Sequence, residues 1–122
     1  MLRFEGPVPT LTRTTTTDVE IRGHTIGAGE KVMLLLAAAN RDPRVFEDAD
    51  RFDIHRVGRK HIAFGSGIHF CMGANLARLE ARVALEELLC RFPEYSLTVG
   101  TLSYFNTPSI RGPKALPVRL AG

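Results

Sequence analysis

The residues with the most chemical potential lie in one ten-residue string, Phe64-Gly65-Ser66-Gly67-Ile68-His69-Phe70-Cys71-Met72-Gly73, which runs into a long apolar stretch. If a helix begins there, the Cys71 thiol faces backbone N–H groups without intrahelical partners and the positive end of the helix dipole. Both favour an anionic sulfur. Gly65, Gly67 and Gly73 remove side chains where the backbone must pass close to something flat and large, or must take positive φ. Phe64 and Phe70 add apolar walls. A sulfur donor in that setting suits a flat macrocycle bound through its iron.

Other readings use the same residues. A dinucleotide-binding loop needs a glycine three places after Gly67, where Phe70 stands. Zinc could take His69 and Cys71 with His55 or His61, although the second close ligand pair of structural zinc modules is absent. Cys71 could also be a small buried hydrophobe, with glycines that merely turn the chain.

The element that must position Cys71 is a helix over about Met72 to Cys90, ended by Phe92-Pro93. Leu76, Ala77, Leu79, Val83, Leu85, Leu88 and Leu89 spread apolar groups too widely for a surface helix. The pattern therefore predicts a helix buried on most sides, with Arg78, Arg82, Glu86 and the Glu87/Arg91 pair on the remaining strip. Upstream, Gly6 to Thr17 reads as a loop leading into extended chain. Val19–Ile21 and His24–Ile26 read as strands around a tight turn, and Lys31–Leu36 as a strand with a short helix after it to Asn40. From Asp42 to Ala63 the sequence is charged and aperiodic, with Phe46 and Phe52 as anchors, which predicts a long irregular segment that packs. Ser96–Val99 and Leu116–Leu120 are strand-like. The expected fold class is mixed α and β.

The 122 residues make one domain at most, residues 1–122. Sixteen basic against thirteen acidic side chains leave a net charge of +3, with no run of five or six like charges, so a nucleic-acid partner is not expected. The longest apolar run, Val32 to Ala39, is far short of a bilayer span. Two cysteines, Cys71 and Cys90, form no CxxC pair and no disulfide framework. A soluble chain in a reducing compartment, the cytoplasm, is expected, with no membrane association.

Phe-Gly-x-Gly-x-His-x-Cys-x-Gly, followed by Leu76-Ala77-Arg78-x-Glu80, resembles the haem-binding signature of the cytochrome P450 family, the haem-thiolate monooxygenases, in its bacterial soluble form. Ala39-Asn40-Arg41-Asp42-Pro43, Phe46 and Asp50-Arg51-Phe52-Asp53 resemble the approach to the family's irregular meander. Gly112 and Leu116-Pro117-Val118 resemble its closing strand region. The resemblance covers the C-terminal part of that fold. It implies a haem cofactor with Cys71 as axial iron ligand, a role in oxygen activation. It implies His69 and Arg13 on the haem propionates, Arg13 because it opens an extended segment Arg13 to Thr16, with His61 as a further candidate. Phe64 would pack beside the sulfur, and Gly65, Gly67 and Gly73 would shape the loop.

The resemblance also implies that Val8–Leu11 and Tyr104–Ile110 line the pocket of a small organic substrate. Arg56, Arg59 and Lys60 would steer an acidic electron donor, a ferredoxin or flavoprotein, to the proximal face. Met1-Leu2-Arg3 looks like the end of the family's Glu-x-x-Arg helix, whose arginine pairs with an arginine of the meander, Arg51 by motif position. Without the glutamate, Arg3 and Arg51 would be two cations lacking their anion. The expected function is that of a monooxygenase segment, which in a complete protein inserts one oxygen atom from dioxygen into an organic substrate. The alternative is a truncated, non-catalytic piece, or one that only binds a partner.

Overall fold

The computed structural model describes residues 1–58 and 60–121, so Arg59 of the basic trio lies outside the described residues. The elements in chain order are β1 (Thr10–Thr14), β2 (Val19–Ile21), β3 (His24–Ile26), β4 (Lys31–Leu35), α1 (Leu36–Ala39), α2 (Ala74–Arg91), β5 (Glu94–Leu97) and β6 (Val118–Ala121), with a 3-10 turn at Gly67–His69 between the helices. They fall into two compact units. One holds Met1–Ala63 with Thr107–Arg111, and the other holds Phe64–Asn106 with the chain from Gly112 onward.

In the first unit β1 and β4 form an antiparallel ribbon, Thr10 opposite Leu35 and Arg13 opposite Val32. β2 and β3 form the expected hairpin. Its two-residue turn, Arg22-Gly23, has φ of 51° and 79°, the doubly positive geometry that fits the twist of a hairpin. The strand at Thr10–Thr14 lies earlier than the extended segment Arg13 to Thr16 expected from sequence. The ladder stops at Thr14 because Thr15 is drawn into the turn beyond: its hydroxyl donates to the Gly27 carbonyl at 2.6 Å, and its own carbonyl accepts from the Gly29 N–H at 2.8 Å. β4 passes directly into α1, as the apolar run Lys31–Leu36 suggests.

The core of this unit is small, formed by Leu36, Phe46 and Ala49, with Asn40 as its buried polar member at 3% exposure. Asn40 Oδ1 accepts the Ile62 N–H at 2.8 Å, so one side chain ties the end of α1 to the far end of the meander. The described residues of the meander, 42–58 and 60–63, form turns, bends and irregular chain; Phe46 is buried as expected, whereas Phe52, the other expected anchor, stays 50% exposed and meets Phe4 edge to face.

In the second unit α2 ends where predicted. The Phe92 N–H still reaches the Leu88 carbonyl at 2.8 Å, and Pro93 has no N–H to continue. β5 and β6 pair antiparallel, Glu94 opposite Ala121 and Leu97 opposite Val118; β5 lies two residues before the expected Ser96–Val99, and β6 starts two residues after the expected Leu116. The expectation of a buried long helix fails. Only Ala74 is buried in α2, while Leu76 and Leu79 are 59% and 57% exposed. The apolar residues do ring the helix, but the two-stranded β5–β6 ribbon makes no broad contact with it, so among the described residues those faces stay largely exposed.

Candidate functional site

The Phe64–Gly73 string folds into a closed loop held by its own backbone. The Cys71 N–H donates to the Phe64 carbonyl at 2.8 Å, and the Phe70 N–H to the Gly67 carbonyl at 3.1 Å. Gly65 permits this closure twice over. Its φ is +74°, and a Cβ there would sit 2.9 Å from the His69 carbonyl oxygen. Gly67 has φ +60° with open space around it, so only its conformation requires glycine. Gly73 is the N-terminal cap residue of α2, and a Cβ on it would lie 3.9 Å from the Cys71 sulfur. The first turn of α2 is fed by the loop, Ala74 N–H to the Cys71 carbonyl at 3.2 Å and Ala77 N–H to the Gly73 carbonyl at 2.9 Å.

Cys71 itself is a free, exposed thiol, which removes the reading of it as a small buried hydrophobe. Phe64 is half-buried and meets Phe70 edge to face, centroids 6.5 Å apart, with the Arg78 guanidinium over its ring. His69 ends the 3-10 turn and is exposed. The loop thus brings Phe64, Gly65, Gly67, His69, Cys71 and Gly73 together. Arg13 belongs to the first unit, where it is exposed on β1 and donates from Nη1 to the Thr12 carbonyl at 3.0 Å. His61 also lies there, its Nδ1 accepting the Ala63 N–H at 3.2 Å. No group of three or more His, Cys, Asp or Glu side chains able to hold a metal occurs among the described residues, so zinc gains no support.

The first unit contains a feature the sequence reading assigned to the wrong residue. Arg3 donates from Nη1 to the carbonyls of Asn40 and Ala49, both at 2.8 Å, and from Nη2 to the Arg51 carbonyl at 3.3 Å. Arg51 thus meets Arg3 through its backbone. The guanidinium that shares the Arg51 carbonyl with Arg3 is that of Arg56, donating from Nη2 at 3.4 Å. Burial first, then the positive charges of Arg56 and Arg41, push the Arg3 guanidinium below its ordinary value. Arg56 donates to the carbonyls of Glu47 and Asp48, and its Nε is buried with no acceptor among the described residues. Arg3 and Arg56 line a cavity of about 520 Å³ together with Phe4, Phe46, Phe52 and Ile54. Arg56 is therefore not a solvated member of a basic patch. An arginine in an aperiodic stretch gives no spacing signal from which this could have been read.

Of the two segments expected to line a substrate pocket, Val8–Leu11 meets the part of Tyr104–Ile110 that lies in the first unit. Thr10 Oγ1 donates to the Pro108 carbonyl at 2.8 Å, and the Arg111 N–H to the Pro7 carbonyl at 2.8 Å.

The family model for cytochrome P450 matches residues 1–99. The chain belongs to the cytochrome P450 family. It is 52% identical over 122 residues to cytochrome P450 monooxygenase PikC of Streptomyces venezuelae, covering 98% of this chain and 29% of that one. It is 45% identical over 124 residues to 6-deoxyerythronolide B hydroxylase of Saccharopolyspora erythraea, covering 100% of this chain and 31% of that one. Among solved structures it is similar to cytochrome P450 PksS of the Bacillus subtilis 168 bacillaene polyketide synthase, with a TM-score of 0.94, 40% identity, and coverage of 99% of this chain and 32% of that one. The chain thus spans about 30% of the length of the cytochromes P450 it matches. No helix among the described residues is long and apolar enough to cross a membrane.

Proposed function

We propose that this chain is the thiolate-bearing segment of a cytochrome P450 monooxygenase and that Cys71 is the axial ligand of its haem iron. The observation that carries the reading is Cys71 presented as a free, exposed thiol on a loop closed by Gly65 and its bond to Phe64. The donor set suits the group: one soft, exposed sulfur in no disulfide among the described residues, backbone free of side chains at Gly65 and Gly67, and the apolar side chains of Ile68, Phe70 and Met72 exposed around it. When bound, haem supplies the chemistry of dioxygen activation. The chain's own contribution is to hold the sulfur in place and to keep Phe64 beside it.

His69 and Arg13 are the propionate partners in this reading, N–H donors suited to two carboxylates. Val8–Leu11 and Tyr104–Ile110 would form part of the lining for a small organic substrate. An electron donor, a ferredoxin or flavoprotein, would meet the proximal face. With Arg56 committed to backbone carbonyls, Lys60 is the exposed cation left from that patch among the described residues. The Arg3 and Arg56 pair, with its unaccepted Nε–H, is where a carboxylate of the family's Glu-x-x-Arg motif would complete a brace. Arg56, not Arg51, is the meander arginine in that brace.

A second reading is that the 122 residues alone bind haem weakly and catalyse nothing. It is favoured by the uncovered apolar faces of α2. The chain exposes 9986 Å², where a self-contained protein of its mass exposes roughly 6,500 Å². Titration of the purified chain with haem, followed by reduction and carbon monoxide, separates the two. A thiolate-type Soret band that is lost in Cys71→Ala is the expected result. A band unchanged by that substitution overturns the ligand assignment, and no band in either chain favours the second reading.

A further inference from the structure

Arg78 stands on the first turns of α2, and its guanidinium carbon lies 4.7 Å from the centroid of the Phe64 ring. It differs from the arginines further along the helix. Arg82 pairs with Glu86 and Arg91 with Glu87, each four residues on. Arg78 has Ala74, Asn75, Ala81 and Arg82 at its three- and four-residue neighbours, so its own helix gives it no carboxylate. The ring it covers belongs to the residue that closes the cysteine loop: the Phe64 carbonyl accepts the Cys71 N–H at 2.8 Å, and the Phe64 ring meets Phe70 edge to face.

We propose that Arg78 is a positioning residue for Cys71, a clamp that holds the face of Phe64 and so keeps the Phe64 carbonyl on the Cys71 amide. The attraction is that of a cation for the electron-rich face of an aromatic ring, and a ring gripped on one face and abutted on its edge has little freedom to turn. The loop is short, so a shift of Phe64 opens the hydrogen bond that sets the direction of the Cys71 backbone. The sulfur leaves from that backbone. The clamp thus couples the first turns of α2 to the aim of the thiol, with the Phe64–Cys71 bond as the link. Its importance for a bound metal rests on the haem reading above, whereas the clamp itself is a property of the protein alone.

The test uses the full chain with Cys90→Ser, which leaves one thiol, and reads two rates without haem: exchange of the Cys71 amide hydrogen, and alkylation of Cys71 by iodoacetamide. Arg78→Met is expected to raise the amide exchange rate roughly two- to fivefold, the worth of one exposed cation–π contact. Arg78→Lys restores most of the protection, because an ammonium serves the same face. Arg82→Met, which breaks an ordinary helix ion pair, leaves the exchange rate unchanged, and the alkylation rate follows the same order across the series. In a Phe64→Leu background Arg78→Met has no further effect. Equal acceleration by Arg78→Met and Arg82→Met overturns the proposal, as does an Arg78→Met effect that persists undiminished without the Phe64 ring. If Arg78→Met does not fold, Arg78→Lys decides: protection near that of the parent supports the clamp, and its loss overturns it. A chain that shows the expected pattern but forms no cysteine-dependent haem spectrum retains the clamp and loses the haem reading.

Discussion

Two neighbouring stretches lack regular structure, and they are held in opposite ways. The meander of residues 42–63 is fastened from a distance. Arg3 bonds to the Ala49 and Arg51 carbonyls, 46 and 48 positions away, and Asn40 accepts from Ile62. The loop at 64–73 is fastened by itself, through backbone bonds that span three and seven residues and glycines that allow the path. The loop's path is set by its own ten residues, with Arg78 of α2 as the contact from outside them. A meander tied by a remote arginine keeps its shape only while that arginine remains in place. The thiol site is thus locally encoded, and the scaffold of the first unit is not.

That contrast is broken most directly at Arg3. Arg3→Met removes three charge-assisted bonds and leaves the carbonyls of Asn40 and Ala49, both buried residues, without donors. The expected cost is about 2–4 kcal/mol, read as a fall in the urea midpoint, with loosening confined to the first unit in amide exchange. Protection of the Cys71 amide should survive. If it is lost together with that of the meander, the loop is not self-supporting and the comparison fails.

The next effect sharpens the comparison inside the loop. Gly65→Ala meets both a positive φ and a carbonyl oxygen at 2.9 Å, whereas Gly67→Ala meets only a positive φ. Gly67→Ala is expected to cost about 1 kcal/mol, and Gly65→Ala about 2–3 kcal/mol with the clash added. Thermal unfolding orders the two, and the Cys71 alkylation rate should rise in Gly65→Ala and hold in Gly67→Ala. Equal costs would mean that the close approach of Gly65 to His69 does not maintain the closure.

The same division explains what could be read from the sequence. The loop was legible because its requirements are local: a phenylalanine, two glycines and a cysteine at fixed spacing need no knowledge of the rest of the fold. The hairpin at 19–26 was legible for the same reason, since Arg22-Gly23 between alternating residues specifies its own turn. The burial of α2 was misjudged because apolar residues around a helix show that it wants partners, and say nothing about whether 122 residues supply them. Arg56 was misplaced because its role depends on Arg3, more than fifty positions away. The early start of β1 was missed because Thr10–Thr14 is short of apolar residues, and its pairing is set by Lys31–Leu35 opposite.

The smallest expected effect comes from a pair that lies in the meander yet is local. Arg44 sits two residues after Asp42, donating from Nε and Nη2 at 2.6–3.1 Å and from its backbone N–H at 2.9 Å. The Arg44 side chain, and next its backbone N–H, hold the Asp42 carboxyl down at about 2, against an ordinary 3.8. A carboxyl depressed on folding contributes its stability above the ordinary value and loses it as pH falls through the depressed one, so the contribution is complete above pH 4 and disappears near pH 2. The Arg44 side chain is 70% exposed, where salt and water screen the pair, so the contribution is slight even at its maximum. Carboxyl titration by NMR should find Asp42 raised in Arg44→Met yet still below its ordinary value, because the residue-44 backbone N–H remains as a donor, with amide protection at Asn40 and Ile62 unchanged. Loosening of those amides in Arg44→Met, on the scale of Arg3→Met, would show that local pairs brace the meander as firmly as the distant arginine does.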